Sequence, residues 1–319
     1  MSASSFVLMH DGERLAEKNA DLKMPIASTT KLMTAILAIE NCSPDEYVDV
    51  LPEHCSVEGS SMYLKPGERI QVRNLIEGLL LVSGNDAALC LADHVAGSMA
   101  KFVEMMNSKA EELGMQNSHF TNPHGLNDEQ HYSTAGDMAL LMEYCMDNKS
   151  FAEIDAMKSC RNGGAVLLNH NKLIFSCPGC IGGKTGYTKA AGRCLVSCCE
   201  REGAKLVCVT LSDPDDWNDH KKLYEWVYSN YSLRGPEKNL SFSVPVISGK
   251  KKWAHLVPEK EIEIFLPDSA ELSLRAEFPW FVFAPVNKGK SAGTLTVLVD
   301  DAETGEYYLV YSDDIGLKN

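Results

Sequence analysis

The hydropathy pattern of this chain changes period once, at Gly235-Pro236, and that change restricts the fold to two parts of different class. Beyond it, apolar and polar residues alternate, as in Leu240-Ser241-Phe242-Ser243-Val244, Glu261-Ile262-Glu263-Ile264-Phe265 and Thr294-Leu295-Thr296-Val297-Leu298-Val299. Prolines and glycines punctuate these runs, the pattern of a small all-β sandwich. Before the change, helical spacing dominates over residues 28–41, 72–82, 86–97, 99–113, 133–145 and 215–231. Strand-like runs fall at 6–10, 14–19, 165–168, 192–199 and 205–211, with Asp11-Gly12 and Glu202-Gly203 as hairpin turns. The expected organisation is a mixed helix-and-sheet domain over 1–234 and an all-β domain over 235–319. Ser133 is expected to cap the helix that follows it. Trp217, Leu223, Trp226 and Val227 are spaced to pack a helix on the sheet, and Trp280, Phe281 and Phe283 are expected in the core of the β domain.

Composition narrows the function classes. A chain of 319 residues with 45% hydrophobic and 23% charged residues has the material for two cores. The net charge of −14 is shared by both parts, which argues against a nucleic-acid partner, since that requires a basic face. No run reaches the length of a membrane-spanning helix. Eleven cysteines, an odd number, all lie between Cys42 and Cys208. Cys177-Pro178-Gly179-Cys180 has redox-motif spacing, but no second Cys-x-x-Cys accompanies it, so a zinc ribbon is not supported. The expectation is mostly buried thiols, as in a protein from a reducing or anaerobic setting.

Three short stretches carry chemistry. In Ala27-Ser28-Thr29-Thr30-Lys31-Leu32-Met33, Ser28 and Lys31 stand three apart at a helix start, so they share a face. A serine needs a base to become a nucleophile, and a lysine serves only when burial or nearby positive charge depresses its pKa. Ser-x-x-Lys alone fits equally well an N-cap serine beside a solvated lysine. Ser83-Gly84-Asn85 follows the apolar run 75–82, and Lys184-Thr185-Gly186-Tyr187-Thr188 follows Gly182-Gly183. Each is unremarkable by itself. Together and in this order they match a known signature of penicillin-binding proteins and class A β-lactamases, with glycine in place of aspartate in the second motif.

The chain resembles the low-molecular-weight penicillin-binding proteins, the serine-type D-alanyl-D-alanine carboxypeptidases, over essentially its whole length. The matching stretches include Pro25 to Ala35, Leu81 to Ala88, Asn122-Pro123-His124-Gly125-Leu126, Ser133-Thr134-Ala135 and Gly182 to Thr188. The resemblance implies an α/β transpeptidase-like domain, with an antiparallel sheet flanked by helices, followed by the family's β-rich second domain. It implies hydrolysis of peptidoglycan stem peptides ending in D-Ala-D-Ala through an acyl-enzyme on Ser28, and covalent capture of β-lactams on the same serine. Lys31 would take the Ser28 proton. Ser83 would relay a proton toward the leaving amine, and Asn85 would hold the substrate backbone and steady Lys31. The backbone N–H groups of Ser28 and Tyr187 would form the oxyanion hole. Lys184 and Thr185 would bind the terminal carboxylate, with Gly186 allowing close approach. No metal or cofactor is implied.

Some relatives carry an arginine beyond the last sheet strand. Here that region reads Asp213-Pro214-Asp215-Asp216-Trp217-Asn218-Asp219-His220, so carboxylate recognition is expected to rest on Lys184 and Thr185. His124 is expected to have a structural role. The family works outside the cytoplasmic membrane. Met1-Ser2-Ala3-Ser4-Ser5 is no secretory signal, so Met1 is expected to be an introduced start, with membrane association through a segment outside this chain. A β-lactamase of class A is disfavoured because no Glu-x-x-Leu-Asn stretch falls between Ser83 and Lys184. A transpeptidase, an endopeptidase or a β-lactam receptor shares the motifs and stays open.

Overall fold

A computed structural model describes residues 1–318. The chain divides into two compact units, Met1–Trp226 and Val227–Asn319. The first is built on a five-stranded antiparallel sheet. Its strands run in the order Glu13–Lys18, Ser5–His10, Ala204–Leu211, Gly192–Arg201 and Cys180–Thr188, so the strand bearing Lys184-Thr185-Gly186 is an edge. Two of its hairpins turn on Asp11-Gly12 (φ 46 and 80) and Glu202-Gly203 (φ 52 and 84). Paired positive φ values give the type I′ turn whose twist matches the flanking strands.

The inner strands are apolar on both faces because both faces are covered. Cys194, Val196 and Cys198 point into the main core with Leu32, Ile36, Leu75 and Leu79 from the helices. The alternate residue Ser197 faces the other way, where its hydroxyl meets His220 Nδ1 at 2.7 Å and Tyr224 OH at 2.7 Å on the Asp216–Tyr228 helix. Tyr224 is fully buried in that layer while Trp226, expected there, is 45% exposed.

The Lys31–Asn41 helix lies within the core, with every residue from Lys31 to Ala38 buried. A helix apolar on all sides belongs inside. The polar groups at its head are satisfied locally: Thr29 Oγ1 donates to Ile26 O at 2.7 Å and Thr34 Oγ1 to Pro123 O at 2.6 Å. Helices also form at Val72–Leu81, Asn85–Ala96, Met99–Glu112 and Ala135–Asp147. The last is capped by Thr134, whose Oγ1 accepts from Asp137 N at 3.0 Å. Ser133, the expected cap, instead pairs with Ser118 Oγ at 2.6 Å.

In the second unit a six-stranded sheet runs Leu272–Glu277, Ser291–Val299, Ala302–Tyr311, Trp253–Pro258, Phe242–Ile247 and Val282–Phe283, with a separate ribbon of Tyr231–Arg234 and Ile264–Pro267. Val244, Leu256, Leu295, Val297 and Leu309 form its core. Trp280, Phe281 and Phe283 are not part of it: they are 93, 51 and 66% exposed. The period-two strands supply enough inward residues without them, and these three lie at a short edge strand and the segment leading into it.

Candidate active site

Three elements converge on one cleft of about 480 Å³, lined among others by Ser28, Ser83, Thr185 and Tyr187. Ser28 sits on a 3-10 turn, Ala27–Thr30, that runs directly into the buried helix beginning at Lys31. The residue before it, Ala27, has φ +48, and Ser83 has φ +63. Left-handed backbone at a non-glycine residue is costly and persists only where surroundings enforce it. Gly125 packs directly on Ala27, since a Cβ on it would stand 1.9 Å from Ala27 O. At Gly186 a Cβ would stand 3.0 Å from both Ser28 N and Ile26 O, so glycine lets the edge strand close against the Ser28 turn.

Lys31 Nζ lies 2.9 Å from Ser28 Oγ and donates to His124 O at 2.6 Å. His124 thus contributes its backbone carbonyl, while its ring accepts from Leu126 N at 3.2 Å. Lys184 Nζ donates to Thr185 O at 3.1 Å. Both lysines are buried, at 0 and 1% exposure. Asn85 is 3% exposed and not in the cleft lining. Its Nδ2 donates to Glu58 O at 2.6 Å, and its Oδ1 has no partner among the described residues.

The profile of the D-alanyl-D-alanine carboxypeptidase family matches residues 1–215, and that of the penicillin-binding protein 5 C-terminal domain matches 237–316. The chain belongs to the D-alanyl-D-alanine carboxypeptidase family. It is 31% identical over 333 residues to D-alanyl-D-alanine carboxypeptidase DacF of Bacillus subtilis, covering 98% of this chain and 86% of the relative. DacA of Escherichia coli is 30% identical over 338 residues, covering 99% and 84%. The crystal structure of penicillin-binding protein 5 from Haemophilus influenzae superposes with a TM-score of 0.79 at 28% identity, covering 99% of this chain and 98% of that one.

The electrostatics of this carboxypeptidase-family site follow from burial. Desolvation, then the Lys184 charge, push Lys31 well below the ordinary lysine value, with Asp86 opposing. Lys184 falls to about 8, again by desolvation, and Asp155 holds it up. Asp155 itself rises to about 7 through burial, although its Oδ2 accepts from Gly183 N at 2.6 Å.

Arg193 also lines the cleft, a residue that inspection of 213–220 passes over. It forks onto Asp216, with Nη2 to Oδ1 at 2.6 Å and Nε to Oδ2 at 3.1 Å, and lies over the Trp217 ring at 5.6 Å from its centroid. The readable signal was the hairpin: with a turn after Thr188, Arg193 pairs directly with Tyr187. An antiparallel partner shares its face, so an arginine there belongs beside the strand that carries Lys184 to Tyr187.

Proposed function

We propose that the protein is a DD-carboxypeptidase that removes the terminal D-alanine from peptidoglycan stem peptides through a Ser28 acyl-enzyme, and that β-lactams acylate the same serine. The 2.9 Å contact between Ser28 Oγ and a fully buried Lys31 carries this reading. A depressed pKa leaves Lys31 with a neutral fraction whose lone pair accepts the Ser28 proton as Oγ attacks the penultimate carbonyl. The carbonyl oxygen becomes an oxyanion held by the N–H groups of Ser28 and Tyr187. Losing one such donor costs about 3–4 kcal/mol. Ser83 passes the proton to the leaving amine of D-alanine. Water then attacks the ester and frees Ser28.

Lys184 and Thr185 bind the substrate's terminal carboxylate, and the Arg193 guanidinium, 42% exposed at the cleft, adds a second cation. Asn85 acts through Oδ1, its unpaired acceptor, either to the Lys31 ammonium formed in the reaction or to a substrate N–H. Family members act on peptidoglycan outside the cytoplasm, which supports a site of action at the outer face of the cell membrane or beyond it. Among the described residues no helix is long and apolar enough to cross a membrane.

The test is Ser28→Ala assayed two ways. Covalent labelling by a fluorescent penicillin and release of D-alanine from a diacetylated Lys-D-Ala-D-Ala peptide should both fall to background. Retained labelling would remove Ser28 as nucleophile. Wild-type labelling without D-alanine release would contradict the carboxypeptidase reading.

A further inference from the structure

The Cys177-Pro178-Gly179-Cys180 motif has no part in the acyl transfer, yet the fold brings a third thiol to it. Cys199, from the strand Gly192–Arg201, lies with its Sγ 3.8 Å from Cys177 Sγ. It is also the ladder partner of Cys180, and its thiol reaches both neighbours. The loop is pinned to that strand: Glu200 N donates to Gly179 O at 2.8 Å and Arg201 Nε to Pro178 O at 3.0 Å. All three cysteines stand as thiols. Cys199 is fully buried, Cys177 is 7% exposed and Cys180 is half-buried, so accessibility falls from the loop inward.

We propose that Cys177 and Cys199 form a reversible disulfide in the folded protein, driven by small-molecule disulfides, with Cys180 as the thiol that exchanges into it. Closing 3.8 Å to a covalent bond takes rotation of two side chains, and a directly opposed strand pair such as Cys180 and Cys199 has Cα atoms in the range a disulfide spans. Cys177 is the nucleophile. The Cys199 S–H and the Arg201 guanidinium bring its pKa down to about 7, whereas Cys199 keeps its proton. The Cys177 thiolate attacks one sulfur of the oxidant RSSR and expels RS⁻. The Cys199 sulfur then attacks Cys177, its proton going to the second RS⁻ that leaves. Two protein thiols lose two electrons and RSSR becomes two RSH. Attack of the Cys180 thiolate on the Cys199 sulfur would free Cys177 and shift the bond to the ladder pair.

The experiment treats the full chain with oxidised glutathione, quenches in acid, alkylates the remaining thiols and maps the cross-linked peptides. A Cys177–Cys199 link is expected in the wild type and in Cys180→Ser, and a Cys180–Cys199 link in Cys177→Ser. These arms stand whether or not Cys199→Ser folds. Full alkylation of all three thiols, or a Cys177–Cys180 link, would overturn the proposal. The oxidised protein should also melt roughly 5 °C higher, because the bond closes a loop between residues 22 apart. An unchanged or lower melting temperature beside a mapped Cys177–Cys199 bond would overturn its fit to the native fold.

Discussion

Two buried lysines adjoin residues that line the cleft, Lys31 through Ser28 and Lys184 through Thr185, and their surroundings differ in one respect. Lys31, at the head of the core helix, faces a hydroxyl and a carbonyl and feels the Lys184 charge, with Asp86 opposing it. Lys184, on the edge strand, has Asp155 behind it. Burial pushes both down and one carboxylate opposes each shift, Asp86 for Lys31 and Asp155 for Lys184, but Lys31 alone is also lowered by a neighbouring cation. Under the proposed mechanism one residue type divides the labour: a neutral amine takes a proton, and a cation holds a carboxylate. Each also sustains the other, because the Lys184 charge helps to hold Lys31 neutral, and a neutral Lys31 adds no repulsion against the Lys184 cation.

The comparison breaks most completely at Lys31. Lys31→Met keeps the volume and removes the base. Penicillin acylation should slow by roughly 10³-fold, within the range for a lost general base. The same variant should melt a few degrees higher, because a desolvated amine is replaced by an apolar chain. Stopped-flow labelling and thermal unfolding read the two effects. Acylation within tenfold of wild type would show that Lys31 is not the base.

Lys184 should respond differently. Lys184→Ala should raise KM for a peptide with a free C-terminal carboxylate by roughly 10²-fold, consistent with a lost charge-assisted contact. It should affect an amidated peptide far less. Equal loss on both would contradict the carboxylate role. The pH dependence sharpens the point. Lys184 is a cation below its value of about 8 and loses charge above it. Affinity for the carboxylate peptide should therefore be full below pH 8 and fall as pH rises through it, while the amidated peptide stays flat. The folding sign is opposite to that of a salt-bridged lysine. A depressed pKa costs stability at neutral pH, and that cost shrinks between about 8 and the unfolded value of 10.5.

Much of this arrangement was readable from local pattern. The hairpin turns, the helix after Ser28, the edge strand and the three motifs follow from spacings of a few residues. What spacing could not show is which polar groups the fold buries beside them. Asp155 is one acid among many in the sequence, and only tertiary packing sets its carboxylate against Gly183 and near Lys184. Cys199 likewise gives no local sign of joining Cys177. Trp280, Phe281 and Phe283 mislead in the other direction, since aromatic content predicts burial on average but not at an edge.

Arg193 gives the smallest and most discriminating test. It differs from both lysines in being partly exposed and already neutralised, since Asp216 takes its fork in a bidentate pair. An incoming carboxylate must therefore share a guanidinium rather than meet a bare charge, and solvent screens what remains. Arg193→Gln should raise KM for the carboxylate peptide by only about three- to tenfold and leave kcat nearly unchanged. Asp216→Asn should act in the opposite direction, because releasing the guanidinium strengthens its pull on substrate. A loss in both variants would mean that the pair holds the Trp217 side of the cleft in shape and that Arg193 does not read the carboxylate.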